Sequence, residues 1–488
     1  MQIVLFAKSG ENHIFASSGS AGSACFPKTR CRLNCVAKAA RNNIQMKKSS
    51  LVARPPFREA LRFWFKLGWI SFGGTAGHIA IMHDYLVDKR KWISNSRFFH
   101  ALSLCMLLPG PEAQQLAIYI GWKLHGKKGG IAAGTLFVLP SMLILLVLSI
   151  IYVKFGALPI IVAMFNGLKP AVVALIIVAV VKVAHKAITG PLQIAMAAIA
   201  FAAIFCFNIS LPAVIGATIV IALVIRAIKP SLLSKNAEPV GEKEAEMEVD
   251  HLTDTEERAF SVAGLLRQII IFLFLWAGPL VILYAFASVF PFWKTLVLFW
   301  TQAALFTIGG SYTVLPYVAQ FAVGRLHWLS KLQMIDGFAL AETTPGPLII
   351  VVSYVGFLAG YHQFNQSIPL ATLALLLTTY YTFLPCFFYI FVGGPLIEKT
   401  HGNATLQSIL NLVTASIVGM IVNLTFYLGK DVVFPSGADY PAGVVFRHPD
   451  VYAVVWILIS LLLILKFRVK VIWLIAASVL YGLIRYYL

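Results

Sequence analysis

The chain has 488 residues, of which 59% are hydrophobic and 12% charged, with a mean hydropathy of +0.82. A soluble globule needs far more polar cover, so this composition excludes one and makes lipid the solvent. The formal charge of +19 would fit a nucleic-acid binder in a soluble protein, but here the cations sit in short loops and in an N-terminal tail, as membrane topology requires, and no nucleic-acid partner is implied.

Residues 1–56 are rich in Ser, Ala and Arg/Lys, and Glu11 is the only acid before Glu59. No apolar core of signal-peptide length follows the basic start. The tail fits an organellar transit peptide as well as a disordered basic segment. The expected membrane is the plastid or mitochondrial inner membrane, otherwise the plasma membrane. Cys25, Cys31 and Cys35 match no zinc spacing, and Cys105, Cys206 and Cys386 stand alone in apolar sequence. Neither a disulfide framework, a metal site nor a cofactor is expected.

Stretches apolar and long enough for ~20 helical residues across a bilayer lie near 129–153, 158–183, 190–207, 211–228, 265–287, 367–392, 404–429, 450–466 and 470–487. Nine spans are expected. Between 229 and 262 the chain turns acidic, with Glu238, Glu242, Glu244, Glu246, Glu248 and Asp250 closely spaced, which reads as a solvated linker. The predicted organisation is a tail (1–56), a first repeat (57–228), the linker (229–262), an extra helix (263–290) and a second repeat (291–488).

The repeat is visible in the motifs. Gly73-Gly74, Trp92-Ile93-Ser94 and Pro109-Gly110-Pro111 return as Gly309-Gly310, Trp328-Leu329-Ser330 and Pro345-Gly346-Pro347, every one displaced by 236 positions. A single displacement over separate motifs marks a duplication without gaps. Cations at Arg54, Arg58 and Arg62, at Lys89, Arg90, Lys91 and Arg97, and at Lys123, Lys127 and Lys128 place three loops on one side. The segments between them must enter and return, so each is a re-entrant hairpin broken at its Gly-Gly or Pro-Gly-Pro motif. An odd number of crossings then inverts the second copy. The expected fold is an all-α polytopic membrane protein of two inverted repeats with broken re-entrant hairpins, the architecture of secondary transporters.

Chemistry is expected at the breaks. Pro109 and Pro345 stop an incoming helix, Pro111 and Pro347 suit the first turn of an outgoing one, and Gly110 and Gly346 permit the bend. Amides exposed at the start of each outgoing helix, aided by its dipole, form an anion site. Glu112 and Glu342 are candidates for proton coupling, since intramembrane acids are costly; capping of the outgoing helix is the other reading for Glu112. Gln115, Thr343 and Thr344 are candidate hydrogen-bond partners of an oxyanion. Gly73, Gly74, Gly309 and Gly310 shape the first break, flanked by Ser71, His78, Thr307 and Ser311, and His78 reads as a packing residue or a proton carrier. Lys169 either balances an anion or snorkels to an interface. Trp92 and Trp328 are expected to anchor the hairpins at headgroup level.

Phe72-Gly73-Gly74 with His78-Ile79, Trp92-Ile93-Ser94 and Leu108-Pro109-Gly110-Pro111 with Gln115, together with their second-half counterparts, resemble the chromate ion transporter family in its long two-domain form. The resemblance spans about 57–487; Thr75 and Met106 depart from the usual pattern. It implies chromate efflux driven by protons or anion exchange, with sulfate as a related substrate. Chromate and sulfate are tetrahedral dianions, and amides at a half-helix start hold either. An anion channel or a sulfate carrier of an organelle membrane is the alternative. A membrane enzyme is the other rival class, but His-Glu-x-x-His and Gly-x-Ser-x-Gly motifs are both missing.

Overall fold

The computed structural model describes residues 55–72, 74–228, 262–285, 289–307, 313–394, 404–435 and 449–488. The tail, the acidic linker up to Ser261, and Gly73, Gly309, Gly310 and Ser311 lie outside the described residues. Among the described residues every regular element is a helix. In chain order these are α1 (Phe57–Ile70), α2 (Gly74–His83), α3 (Asn95–Leu107), α4 (Glu112–Phe155), α5 (Pro159–Ala187), α6 (Pro191–Phe207), α7 (Leu211–Ile228) and α8 (Val262–Tyr284). The second half follows with α9 (Phe290–Phe306), α10 (Val314–Val318), α11 (Lys331–Thr343), α12 (Val351–Gln363), α13 (Ile368–Phe388), α14 (Ala404–Val433), α15 (Val451–Leu465) and α16 (Val471–Tyr487).

The chain is an all-α, multi-pass integral membrane protein. Among the described residues six helices are long and apolar enough to cross a bilayer: α4, α5, α7, α8, α13 with the turn that extends it, and α14. Three of the nine expected spans fall short. The stretches at 190–207, 450–466 and 470–487 form α6, α15 and α16, of 17, 15 and 17 residues. At about 1.5 Å per residue they reach about 23 to 26 Å, against a hydrocarbon core of about 30 Å.

α4 is two helices joined at a sharp corner. His125 (φ −134°, ψ 24°) and Gly126 (φ 64°) are non-helical, and 127–155 folds back on 112–124. Gly121 lies against the Gly129 backbone and Ala133, and Gly130 against the Ile118 carbonyl, so small residues let the two arms meet closely. α12 and α13 repeat this hairpin, with Gly360 against Ala371 and Ala374.

Local geometry repeats in the predicted register. α3 and α11 have the same bounds displaced by 236 residues, and so do the ends of α1 and α9. Ser94 and Ser330 cap α3 and α11, the latter in a reciprocal capping box with Gln333. Lys91 and His327 occupy the same left-handed backbone position, with φ 52° and 50°. Trp92 donates its amide to Leu86 at 2.7 Å and Trp328 to Ala322 at 2.8 Å, closing the same turn. Both Trp side chains are buried in aromatic clusters, with Phe63 and Tyr85 in one case and Phe292 and Phe299 in the other. They hold these turns by internal packing, which corrects the expectation of headgroup anchors.

The two halves interlock. α5 and α14 pack on each other; α15 and α16 of the second half lie on α5, while α6 and α7 of the first half lie on α14. Gly167 meets the backbone of Gly482 and Ser478 at the α5–α16 contact, and Gly419 meets Ala197 and Phe201 at the α14–α6 contact. α8 stands outside this core, with none of its apolar window buried. Trp276 on it donates to Thr301 at 2.9 Å, and the hydroxyls of Tyr380 and Tyr381 donate to its Leu275 and Trp276 carbonyls at 2.8 Å.

Candidate functional site

Both Pro-Gly-Pro segments break a helix for a reason local to the chain. A residue before proline is driven from the helical to the extended region. Leu108 (φ −90°, ψ 144°) and Thr344 (φ −93°, ψ 146°) are both extended, ending α3 and α11. Gly110 (φ 126°) and Gly346 (φ 102°) then take backbone positions that side chains rarely occupy. Pro111 and Pro347 sit at the N-cap rather than inside the first turn, and the second outgoing helix opens with a 3₁₀ turn (Leu348–Ile350) before α12. α3 and α11 are 13 residues each. At about 20 Å each is shorter than a hydrocarbon core of about 30 Å.

Each elbow meets the first break of the other half. The Gly110 amide donates to the Thr307 carbonyl at 2.6 Å, and the Gly346 amide to the Ser71 carbonyl at 2.7 Å. Ser71 (φ −80°, ψ 75°) and Thr307 (φ −77°, ψ 71°) are equivalent residues ending α1 and α9, and each hydroxyl donates back one turn, to Leu67 and Ala303. Gly74 begins α2 at φ 73°. One asymmetry stands out. His78 is fully buried, its Nε2–H donates to the Ser71 carbonyl at 2.9 Å, its Nδ1 has no partner and its ring stands edge-on to Phe137. The equivalent position in the second half is Val314.

Several expected anion donors are already engaged. The Gly110 and Gly346 amides are bound across the halves; Gln115 Nε2 donates to the Pro109 carbonyl within its own elbow. The Thr343 and Thr344 hydroxyls donate back to Leu340 and Ala341 at 2.6 and 2.8 Å, as hydroxyls do inside apolar helices. No side chain caps the first turns after Pro111 and Pro347. The amides of Glu112, Ala113 and Gln114, and of Leu348 and Ile349, are first-turn donors with no partner inside their own helix.

Acidic groups line up along α5. Buried Glu112 accepts from Lys186 at 3.4 Å, an ion pair rather than a backbone cap. Half-buried Glu342 lies within Coulombic reach of Lys182. The third carboxylate is Asp336 on α11, which motif reading missed. Its side chain is 8% exposed; it accepts from the Tyr152 hydroxyl at 2.9 Å and sits 4.0 Å from Lys169, itself 15% exposed. Lys169 thus faces a carboxylate rather than snorkelling outward. An acid in the apolar run of α11 was the available signal, but its counterpart in the first half is His100, so the repeat did not point to it. Among the described residues no cluster of three or more His, Cys, Asp or Glu could hold a metal.

Comparison with known proteins gives a matching duplication. The chromate transporter family matches residues 58–225 and again 294–483, so the second match begins 236 residues after the first. A chromate transport protein of Pseudomonas aeruginosa is 31% identical over 373 residues, covering 75% of this chain and 80% of that protein. Another, of Cupriavidus metallidurans, is 26% identical over 430 residues, covering 88% and 93%. No solved structure matches the chain. With both halves matched and relatives aligned over most of their length, the chain belongs to the chromate transporter family.

Proposed function

We propose that this protein is a secondary active carrier that exports chromate, coupled to protons or to exchange of another anion, with sulfate as the related substrate to test. The carrying observation is the reciprocal pair of bonds, Gly110 to Thr307 and Gly346 to Ser71, which ties each broken helix to the break of the other half. A pseudo-two-fold axis generates such a pair, and two repeats rocking about broken helices are how alternating access works. Its repeats are 57–228 and 291–488, with 263–290 as an added helix between them. Amides of Glu112 to Gln114 and of Leu348 and Ile349 hold the dianion, Gly73, Gly74, Gly309 and Gly310 permit the facing breaks, and Glu112 and Glu342 exchange protons.

Inversion of the second repeat follows if each Pro-Gly-Pro elbow is a hairpin. Asp336 faces Lys169 and Glu342 faces Lys182, so α11 and α5 run in the same direction. With three reversals, at Pro-Gly-Pro, at His125-Gly126 and at 156–158 between α4 and α5, α3 runs opposite to α5, and hence opposite to its own equivalent α11. The relatives are named transport proteins, which supports a carrier over an enzyme.

Chromate flux into sealed vesicles of the purified protein, under an imposed pH gradient and with sulfate as competitor, tests the reading. Uphill accumulation supports the carrier; flux that only runs downhill indicates a channel, and product formation without compartments indicates an enzyme. An organellar address rests on the composition of residues 1–56 alone. Fusing them to a fluorescent protein and locating it tests that separately.

A further inference from the structure

Beneath the start of α11 lies a partly open cavity of about 220 Å³, with Tyr152, Gln333, Tyr361 and His362 as its polar lining and Val153 and Leu358 as its apolar lining. His362 Nδ1–H donates to the Trp328 carbonyl at 2.7 Å, and Gln333 belongs to the cap of α11, which places the cavity at the end where that helix begins, a membrane face in the re-entrant reading. Asp336 stands one helical turn below Gln333. Tyr152 belongs both to the cavity wall and, through its hydroxyl, to the Asp336 carboxylate. The other carboxylate oxygen, Oδ1, is buried without a hydrogen-bond partner and faces Lys169, whose ammonium also donates to Asn166 at 2.9 Å.

We propose that Asp336 is a proton-loading site reached from this face through the cavity and the Tyr152 hydroxyl, distinct from Glu112 and Glu342. A proton arriving from cavity water binds the Tyr152 oxygen as the existing Tyr152 O–H proton moves to Asp336 Oδ2. Tyr152 stays neutral, Asp336 becomes a carboxylic acid, and one positive charge has entered. Lys169 then lacks its counter-ion, so α5 presents an uncompensated cation to an incoming dianion.

The groups facing the carboxyl are Lys169 from α5, Tyr152 from α4 and Tyr354 from α12. Asp431 of α14 and Arg485 of α16, helices that also pack on α11, are engaged by Lys331 and Asp450 at 3.1 and 2.9 Å. The π-helical turn Ala319–Val323 beside α11 carries no charged side chain.

The inference deepens the carrier reading, and its test has one arm independent of transport. Hydrophobic carbodiimides modify protonated carboxyls in apolar surroundings, and mass spectrometry assigns the modified residue. In the full-length protein Asp336 should be labelled increasingly as pH falls. Labelling should reach higher pH in Lys169→Met, which removes the counter-ion, and its onset should slow in Tyr152→Phe. In the flux arm, Asp336→Asn should lose dependence on the pH of the cavity-side bath while keeping dependence on the other bath, with a residual change under about two-fold per pH unit against up to ten-fold for a coupled proton. Asp336→Glu should restore it. Labelling of Asp336 that ignores pH and Lys169, or an intact cavity-side pH profile in Asp336→Asn, overturns the proposal. If no variant carries chromate or sulfate, the substrate reading fails while the labelling still decides the proton site.

Discussion

The Gly110 amide donates to the Thr307 carbonyl across the two halves of the chain, 2.6 Å away, and the equivalent Gly346 amide returns the bond to Ser71 at 2.7 Å. Neither contact tolerates a side chain at its glycine. A Cβ on Gly110 would lie 2.7 Å from Gln115 Nε2 and 3.1 Å from Cys386 Sγ, and one on Gly346 would lie 2.9 Å from Ser141 Cβ. Gly110→Ala and Gly346→Ala should each destabilise the protein by about 2 kcal/mol or more from backbone strain and overpacking, and each should abolish chromate flux. Thermal unfolding in detergent and vesicle flux measure the two effects; normal flux in both variants would remove the elbows from the mechanism.

Thr343→Val and Thr344→Val should behave differently. Their hydroxyl protons already go to Leu340 and Ala341. Losing such a bond costs about 1 kcal/mol, and substrate affinity should change by less than about three-fold, under ~0.7 kcal/mol. A ten-fold rise in the chromate KM would show that the hydroxyls turn toward the anion.

His78→Val copies the residue that the second half carries at Val314. Its ring donates to the Ser71 carbonyl, which also receives Gly346, so the Gly346 bond persists after substitution. Folding should survive with a loss of about 1 to 2 kcal/mol. Unchanged pH dependence of flux in this variant identifies His78 as a packing residue; a flattened profile identifies it as a proton carrier.

Glu342→Gln should keep chromate binding and lose pH coupling, because it removes the titrating group beside Lys182 and leaves the amides of Leu348 and Ile349 in place. Glu112→Gln should instead tighten binding, since it removes a negative charge beside the first anion site and frees the Lys186 cation that Glu112 now pairs. Binding to the detergent-solubilised protein and flux against pH separate these outcomes; Glu342→Gln with an unaltered pH profile excludes the coupling role.

Opposite orientation of the halves is tested by cysteine accessibility. In a background without Cys105, Cys206, Cys386 and the tail cysteines, Lys91→Cys and Arg325→Cys should react with an impermeant thiol reagent from opposite faces of a sealed vesicle. Labelling from the same face would require parallel repeats.

Much of this was legible before folding. Composition demanded lipid, because an apolar chain of this length has too little polar surface for water. The constant displacement of 236 residues fixed where each helix would break, because proline and glycine act on their own backbone neighbours: Leu108 and Thr344 are extended because a proline follows. Only the tertiary structure decided what the breaks do with their polar groups. Which carbonyl the Gly110 amide finds, and that Asp336 lies against Tyr152 and Lys169, depend on partners far along the chain, 184 residues away in the case of Tyr152. Such pairings arise from how α4, α5 and α11 pack, and no local pattern encodes them, since a buried polar group takes whichever partner the neighbouring helix brings within reach.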